Sequence, residues 1–331
     1  MPVTFSIDEA HKLVSDALIS ANTAPNNAAS VARALVGAEI SGQSGHGLSR
    51  VPTYSAQSRS GKVDGYAVPQ ATKARPGLLL IDAGLGFAYP AFDLMMEHLP
   101  DMVRDQGIAS AAIRQSHHFG QAGAHCERLA EEGFCAFVYG NAPKSIAPWG
   151  GKSPRLGTNP IAFAAPMPNG PPLVIDLAVS RVARGKIMAA NNLGQSIPEG
   201  WALDQDGKPT TNAADALGGT MIPIGEAKGA ALALMVEVMS ACLTGSNLAF
   251  QASSFFEGEG PAPNVGQTIL ALDPIAFSGE AFFDQMAVLE AAYNEDGARL
   301  PGTRRFELRE DARNNGIEVA DALMEKIQAG M

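Results

Sequence analysis

The chain has 331 residues, 46% of them hydrophobic, which is enough apolar material for one large domain or two modest ones. Acidic residues outnumber basic ones by 34 to 24, giving a net charge of −10 and a pI near 5.1, so no basic field is available to hold nucleic acid or an anionic membrane. No apolar run approaches the roughly 20 residues that span a bilayer. The opening MPVTFSIDEAHK lacks the basic and apolar regions of a secretory signal. Cys126, Cys135 and Cys242 have no CxxC spacing and argue against a disulfide framework or a cysteine zinc site. The expectation is a cytoplasmic protein whose partners are small molecules and whose cysteines are buried small hydrophobes.

From the N-terminus, Ser6 to Glu9 has the spacing of a capping box, and Ala10, Leu13, Val14, Ala17 and Leu18 follow at helical period until Pro25. A second helix from Asn26 carries Ala28, Val31, Leu35 and Ala38 on one stripe and stops at Ser41-Gly42. After the loop GQSGHG, a third helix over 49–60 ends at Gly61, so the chain opens with a helical layer. The pattern then changes. Strands are predicted at 78–82, 108–113, 134–139, 161–165, 173–177 and 265–272. Helices are predicted near 91–104, 120–132, 228–243, 279–293 and 311–328. The turn-rich PMPNGPP joins 161–165 to 173–177 as a hairpin. The sheet is therefore mixed and largely antiparallel, with flanking helices, in an α/β chain. The Pro- and Gly-rich 253–266 reads as a long loop able to serve as a lid or a partner-facing arm, with an ordinary surface connection as the plain alternative.

Two nucleotide-binding signatures begin and fail. Gly84 and Gly86 follow a strand as a dinucleotide fingerprint would, but Tyr89-Pro90 stands where close helix packing needs a small residue, and no acid-tipped second strand follows. Gly151-Lys152-Ser153 resembles the tail of a P-loop, but Ile146 replaces its first glycine. His117, His118 and His125 have no spacing that gathers one metal ion.

SHHFGQAG, residues 116–123, lies where a strand ends and a helix begins, so its amides and glycines describe an anion-binding turn. Its plain alternative is an ordinary helix start. In GHGLSR, residues 45–50, a helical turn after Gly47 would put His46 and Arg50 on one side: an imidazole able to give a proton beside a guanidinium able to hold a carboxylate. Surface decoration is the alternative there.

GHGLSR, SHHFGQAG, PWGG (148–151), LGTNPIAF (156–163), VIDLAVS (174–180), IPEGWALDQDGKPTT (197–211) and PIGEAKGAALAL (223–234), taken in order, resemble the malate/L-lactate dehydrogenase family, whose NAD(P)-binding fold is not a Rossmann fold. The resemblance covers nearly the whole chain and implies a homodimer. It implies a helical domain over 1–72, joined by 296–331 and carrying His46 and Arg50, and an NAD(P)-binding domain over 73–295 with a substrate-facing loop at 253–267. By that resemblance His46 is the proton donor, while Arg50 and Thr158 bind the substrate carboxylate. His118, Phe119, Gly120, Gln121, Ala122, Asp176, Leu177, Ala178, Lys228, Arg304 and Arg305 hold the cofactor, NADP(H) before NAD(H), and no metal is implied.

Within the family, segment 253–267 is similar to the Δ1-piperideine-2-carboxylate/Δ1-pyrroline-2-carboxylate reductase branch, whereas Lys186 is closer to the malate/lactate pattern. Gly45 stands where the family commonly has the serine of Ser-His-Gly, which removes the adjacent hydroxyl of a proton relay. The implied activity is hydride transfer to C2 of a small 2-imino or 2-oxo acid. Malate/L-lactate-type 2-hydroxyacid oxidation is the alternative, and a non-catalytic nucleotide-binding module is the alternative of another class.

Overall fold

The computed structural model describes residues 3–331. Strand β1 (Val3–Phe5) leads into α1 (Ile7–Ser20), where Ser6 and Glu9 form the reciprocal capping box. Pro25 opens α2 (Pro25–Ile40), its fixed φ suiting the first helical turn. Helix α3 (Val51–Ser60) ends on left-handed Gly61. Ala10, Val14, Leu18, Val31, Leu35 and Tyr54 close one apolar core between these helices.

The second core lies on a seven-stranded sheet. In chain order its first half is β2 (Gln70–Arg75), β3 (Leu78–Asp82), α4 (Ala88–Gln106), β4 (Ile108–Ser116), α5 (Ala122–Glu131) and β5 (Cys135–Gly140). The hairpin β6 (Ile161–Ala165) and β7 (Leu173–Leu177) follows as expected. A small third unit contains α6 (Arg184–Asn192), β8 (Ala202–Leu203), β9 (Pro209–Thr210), α7 (Ala213–Gly218) and β10 (Thr220–Met221). Its apolar centre is built on Ile146, Ile187 and Met221. Helix α8 (Ala227–Glu237) continues as a π-helical turn over Val238–Cys242. The chain then returns as β11 (Val265–Leu272).

The large sheet has the order β2-β3-β4-β11-β5-β6-β7, and only the β3–β4 pair is parallel. The sheet is thus mixed and largely antiparallel. Its apolar face packs on α4 and α5 through Phe92, Met95, Leu99 and Leu129.

The C-terminal region runs through α9 (Pro274–Ser278), α10 (Ala281–Glu295), α11 (Thr303–Asn315), β12 (Ile317–Val319) and α12 (Asp321–Ala329). The single helix expected over 311–328 is therefore wrong. Gly316 takes φ +81° where its missing Cβ would meet Phe5 and Thr4, and the next three residues pair with β1. Ile317, Val319 and Ile327 join the core of the first helices. The cysteine expectation also needs correcting: Cys126 is buried, but Cys135 is half-buried and Cys242, in the π-helical turn, is exposed.

Candidate functional site

Between α2 and α3 the chain makes two 3-10 turns, Ser44–His46 and Leu48–Arg50, and the second runs straight into α3, so the chain turns helical after Gly47, first as a 3-10 turn. Glu39 dictates this local path. Its carboxylate accepts from the Leu48 N–H at 2.7 Å and occupies the space a Cβ on residue 47 would need, so any side chain there would displace that carboxylate. The Arg50 Nε donates to the Gly45 carbonyl at 2.7 Å, folding the turn back on itself. His46 and Arg50 are brought to one place, but by a tighter turn than the expected helix.

Around them stands a cluster drawn from four segments. The His46 and His118 rings stack with centroids 5.2 Å apart and planes 16° apart. The Tyr54 hydroxyl lies 2.5 Å from His118 Nδ1 and 3.1 Å from the Tyr89 hydroxyl. Gly120 has φ +68°, and a Cβ there would strike that Tyr89 hydroxyl, so the SHHFG turn can close only with glycine. Phe255 approaches His118 at 5.0 Å and His117 at 5.6 Å, and the Arg50 guanidinium lies over the Phe256 ring at 4.4 Å.

Burial sets the charge states. His46 is pulled down to about 4, first by desolvation and then by the Arg50 cation. His117 is pulled to about 3 by burial and then by Lys62 and Arg50. His118 is pushed well below the usual imidazole value, again by burial first. Burial drives Tyr54 up to about 12. At neutral pH the site therefore holds neutral imidazoles and phenols around one guanidinium. Two of its buried polar atoms, Arg50 Nη1 and His46 Nδ1, have no hydrogen-bond partner among the described residues. A carboxylate fits the first and a hydroxyl the second.

The other candidates divide. Thr158 lies in the LGTNP loop, its carbonyl accepting from Val179 at 2.9 Å. Beside it Asn159, at φ +41°, donates to the buried Glu237 at 2.8 Å. Glu237 also accepts from Asn141 and from the Ala249 N–H, tying together the loops at 141, 159 and 249. Leu177 and Ala178, at the end of β7, are exposed, as are Lys228 in the first turn of α8 and Arg304. Among the described residues, no hydrogen bond or ring contact joins Thr158, Lys228 or Arg304 to the His46 cluster.

In the SHHFGQAG turn, Phe119 points into the sheet core against Phe92 and Gly140, and Ala122 is buried. Gln121 is buried with its Nε2 unpartnered. The Gly123 N–H at the start of α5 donates to Asp176 at 2.8 Å, so part of the expected anion-binding helix end is already occupied by the chain's own carboxylate. Arg305 is also committed. It is 7% exposed and paired with Glu127, which Arg309 holds as well. Tyr54, Tyr89, Phe255 and Phe256 were missed by sequence reasoning. The only available signals were the four-residue spacing of Arg50 and Tyr54 and an aromatic pair inside a Pro/Gly loop.

A cavity of about 920 Å³ lies elsewhere, between α2, α4 and α5 beside Arg33, Asp93 and Arg128. The residues able to bind a carboxylate and pass a proton sit instead in the His46 cluster, which defines the candidate active site.

A family model of malate/L-lactate dehydrogenase matches residues 5–328, and the chain belongs to that family of dehydrogenases. It is 49% identical over 324 residues to a (2R)-3-sulfolactate dehydrogenase (NADP(+)) of Chromohalobacter salexigens, covering 98% of this chain and 97% of that one. It is 38% identical to a Δ1-pyrroline-2-carboxylate reductase of Ancylobacter novellus, over 99% of this chain and 97% of that one. The crystal structure of Δ1-piperideine-2-carboxylate reductase from Pseudomonas syringae pathovar tomato superimposes with a TM-score of 0.94 at 36% identity, covering 99% of this chain and all of the other.

Proposed function

We propose that this protein is an NADPH-dependent reductase of small cyclic 2-imino acids such as Δ1-pyrroline-2-carboxylate and Δ1-piperideine-2-carboxylate. The observation that carries the reading is Arg50: enclosed, stacked on Phe256 and presenting an unpartnered Nη1 beside His46. Such a guanidinium takes a carboxylate bidentately and fixes its orientation, which lowers the entropic part of the barrier. The rings of Phe255 and Phe256 give the methylenes of a cyclic substrate an apolar surface.

The nicotinamide supplies a hydride when bound. Gln121, with its orphaned amide, and the exposed Leu177 and Ala178 offer it a polar and an apolar surface. Lys228 and Arg304 supply free cations for its phosphates, and Arg305 braces α11 from inside. NADP(+) in the name of one relative supports the phosphorylated cofactor.

The protonation of His46 favours the imine over the open-chain acid. An iminium carries its own proton, so hydride addition at C2 leaves a neutral amine and asks none of the protein. A 2-oxo acid becomes an alkoxide and needs a proton that His46, with its pKa near 4, seldom holds at neutral pH. A carboxylate against Arg50 offsets the guanidinium charge and raises that pKa. In the reverse direction neutral His46 is suited to accept a proton from a hydroxyl. That capacity, together with the 49% identity to a sulfolactate dehydrogenase, supports oxidation of 2-hydroxy acids as the second reading.

The helical layer with the C-terminal segment is proposed as the unit carrying His46 and Arg50, and the sheet as the cofactor-binding unit. Exposed Leu232, Leu234, Met235, Val238 and Leu243 along α8 and its π-turn support a homodimer. A cytoplasmic location is in keeping with the absence, among the described residues, of any helix long and apolar enough to cross a membrane.

NADPH and NADH consumption with both cyclic imines, pyruvate, oxaloacetate and sulfopyruvate tests the reading. Preference for the imines with NADPH is expected. Turnover of the open-chain acids alone overturns it.

A further inference from the structure

The ammonium of Lys62 is buried just beyond α3, and the residue is 1% exposed. An ammonium has three N–H donors and no acceptor. Here all three find carbonyls of one loop, Ser254 O at 2.8 Å, Glu257 O at 3.0 Å and Glu259 O at 3.0 Å. Among the described residues no carboxylate oxygen pairs with this cation. A buried charge is costly unless its hydrogen bonds are complete, and these close the set with neutral dipoles from a single segment.

Neighbouring side chains of α3 grip the same loop. Gln57 Nε2 donates to Phe255 O at 3.2 Å and Glu257 O at 2.9 Å, and Ser60 Oγ donates to Gly258 O at 2.6 Å. Gly258 packs so closely that a Cβ there would sit 2.9 Å from that of Ala56. Between and beside these fixed carbonyls lie the two rings that wall the candidate site, Phe255 against the imidazoles and Phe256 under Arg50.

We propose that Lys62 is a positioning residue for substrate binding: by gathering the carbonyls of residues 254, 257 and 259 it holds Phe256 beneath Arg50 and so aims the guanidinium at the substrate carboxylate. The inference rests on Arg50 being the carboxylate site. Lys62 touches no substrate in this scheme. Its removal frees the loop, lets the ring drift from the guanidinium, and weakens the carboxylate's fixed partner while the cofactor's contacts stay in place.

Lys62→Met keeps the stem and removes the donors. The expected result is a rise of at least tenfold in KM for Δ1-pyrroline-2-carboxylate, with kcat within threefold and the NADPH Kd unchanged. The Kd of pyrrole-2-carboxylate, a planar analogue with no reducible C=N, should rise by a similar factor in calorimetry. Limited chymotrypsin digestion of native protein should cut after Phe255 or Phe256 at least tenfold faster than in the wild type. Phe256→Leu, which leaves Lys62 alone, should raise the same KM and Kd and decides the matter if Lys62→Met does not fold.

Faster cutting with unchanged KM and Kd in Lys62→Met makes the clamp purely structural and overturns the proposal, as does an unaltered cutting rate. Unchanged KM and Kd in Phe256→Leu overturn it too. A wild type that turns over no imine refutes the proposed reaction, while the pyrrole-2-carboxylate and digestion measurements still decide the role of Lys62.

Discussion

Acid should destabilise this protein steeply above the pH range in which ordinary carboxylates titrate. His117, His118 and His125 are enclosed, and burial holds His117 near 3, His125 near 4 and His118 well below the usual imidazole value. Unfolding returns each to about 6.5. Between the folded and unfolded values the unfolded chain binds more protons, so stability rises with pH through that window and is lost as pH falls. Each histidine then contributes a slope of about 1.4 kcal/mol per pH unit, and the three together about 4. By pH 5 the accumulated loss from these three is about 6 kcal/mol relative to pH 8, a large part of the roughly 5–15 kcal/mol by which domains are stable, and His46, also held down by burial, adds to it. Asp176 and Glu237, raised by burial, act with the opposite sign as they take up protons in the folded state and offset part of this loss.

Urea unfolding at fixed protein concentration, from pH 8 down to 5 in half-unit steps, measures this. His117 gives an internal control, because both its ring nitrogens lack hydrogen-bond partners among the described residues. His117→Phe should reduce the loss at pH 5 by about 2 kcal/mol while leaving stability at pH 8 equal or higher, since an unpaired polar group leaves the core. Flat stability from pH 7 to 5, or an unchanged slope in His117→Phe, refutes the reasoning.

The remaining expectations are kinetic. His46→Ala should cost about 10²–10⁴-fold in kcat for a 2-oxo acid and much less for a cyclic imine assayed at acidic pH; equal losses for both would remove the distinction drawn from protonation. Arg50→Lys keeps the charge but loses the fork, so KM for the carboxylate substrate should rise about 10–100-fold with NADPH Kd unchanged, and a shift confined to NADPH would place Arg50 on the cofactor. Lys228→Ala should weaken NADPH by about tenfold or more and spare the substrate KM; identical affinity in titrations monitored by NADPH fluorescence would exclude it as a phosphate ligand.

The central strands were legible because Leu78–Asp82 and Val265–Leu272 are apolar, β-rich runs bounded by turn residues. Strand β2, reading QATKAR, sits at the sheet edge, where polar side chains are tolerated and the period-2 signal fades. The C-terminal break at Gly316 is not legible in sequence because β12 pairs with β1, a contact no local pattern encodes. His46 and Arg50 were legible through their motif. The aromatic wall was not, because Gln57 and Lys62 meet its loop across nearly 200 residues of chain. Arg304 and Arg305 are alike in sequence, yet consecutive residues on a helix point about 100° apart, leaving one in solvent and the other against Glu127.

The place of β11 bears on how the molecule comes into being. It lies between β4 and β5, although it follows them by more than 120 residues, and it pairs with both along nearly its whole length. Until residue 272 has emerged and docked, two half-sheets face each other with bare N–H and C=O edges. Loop closure over that span must be completed before its contacts are gained, a topology that folds slowly. A nascent chain is therefore exposed to edge-to-edge aggregation until β11 arrives, and ends that exposure by inserting one strand, Val265–Leu272, into the middle of the sheet.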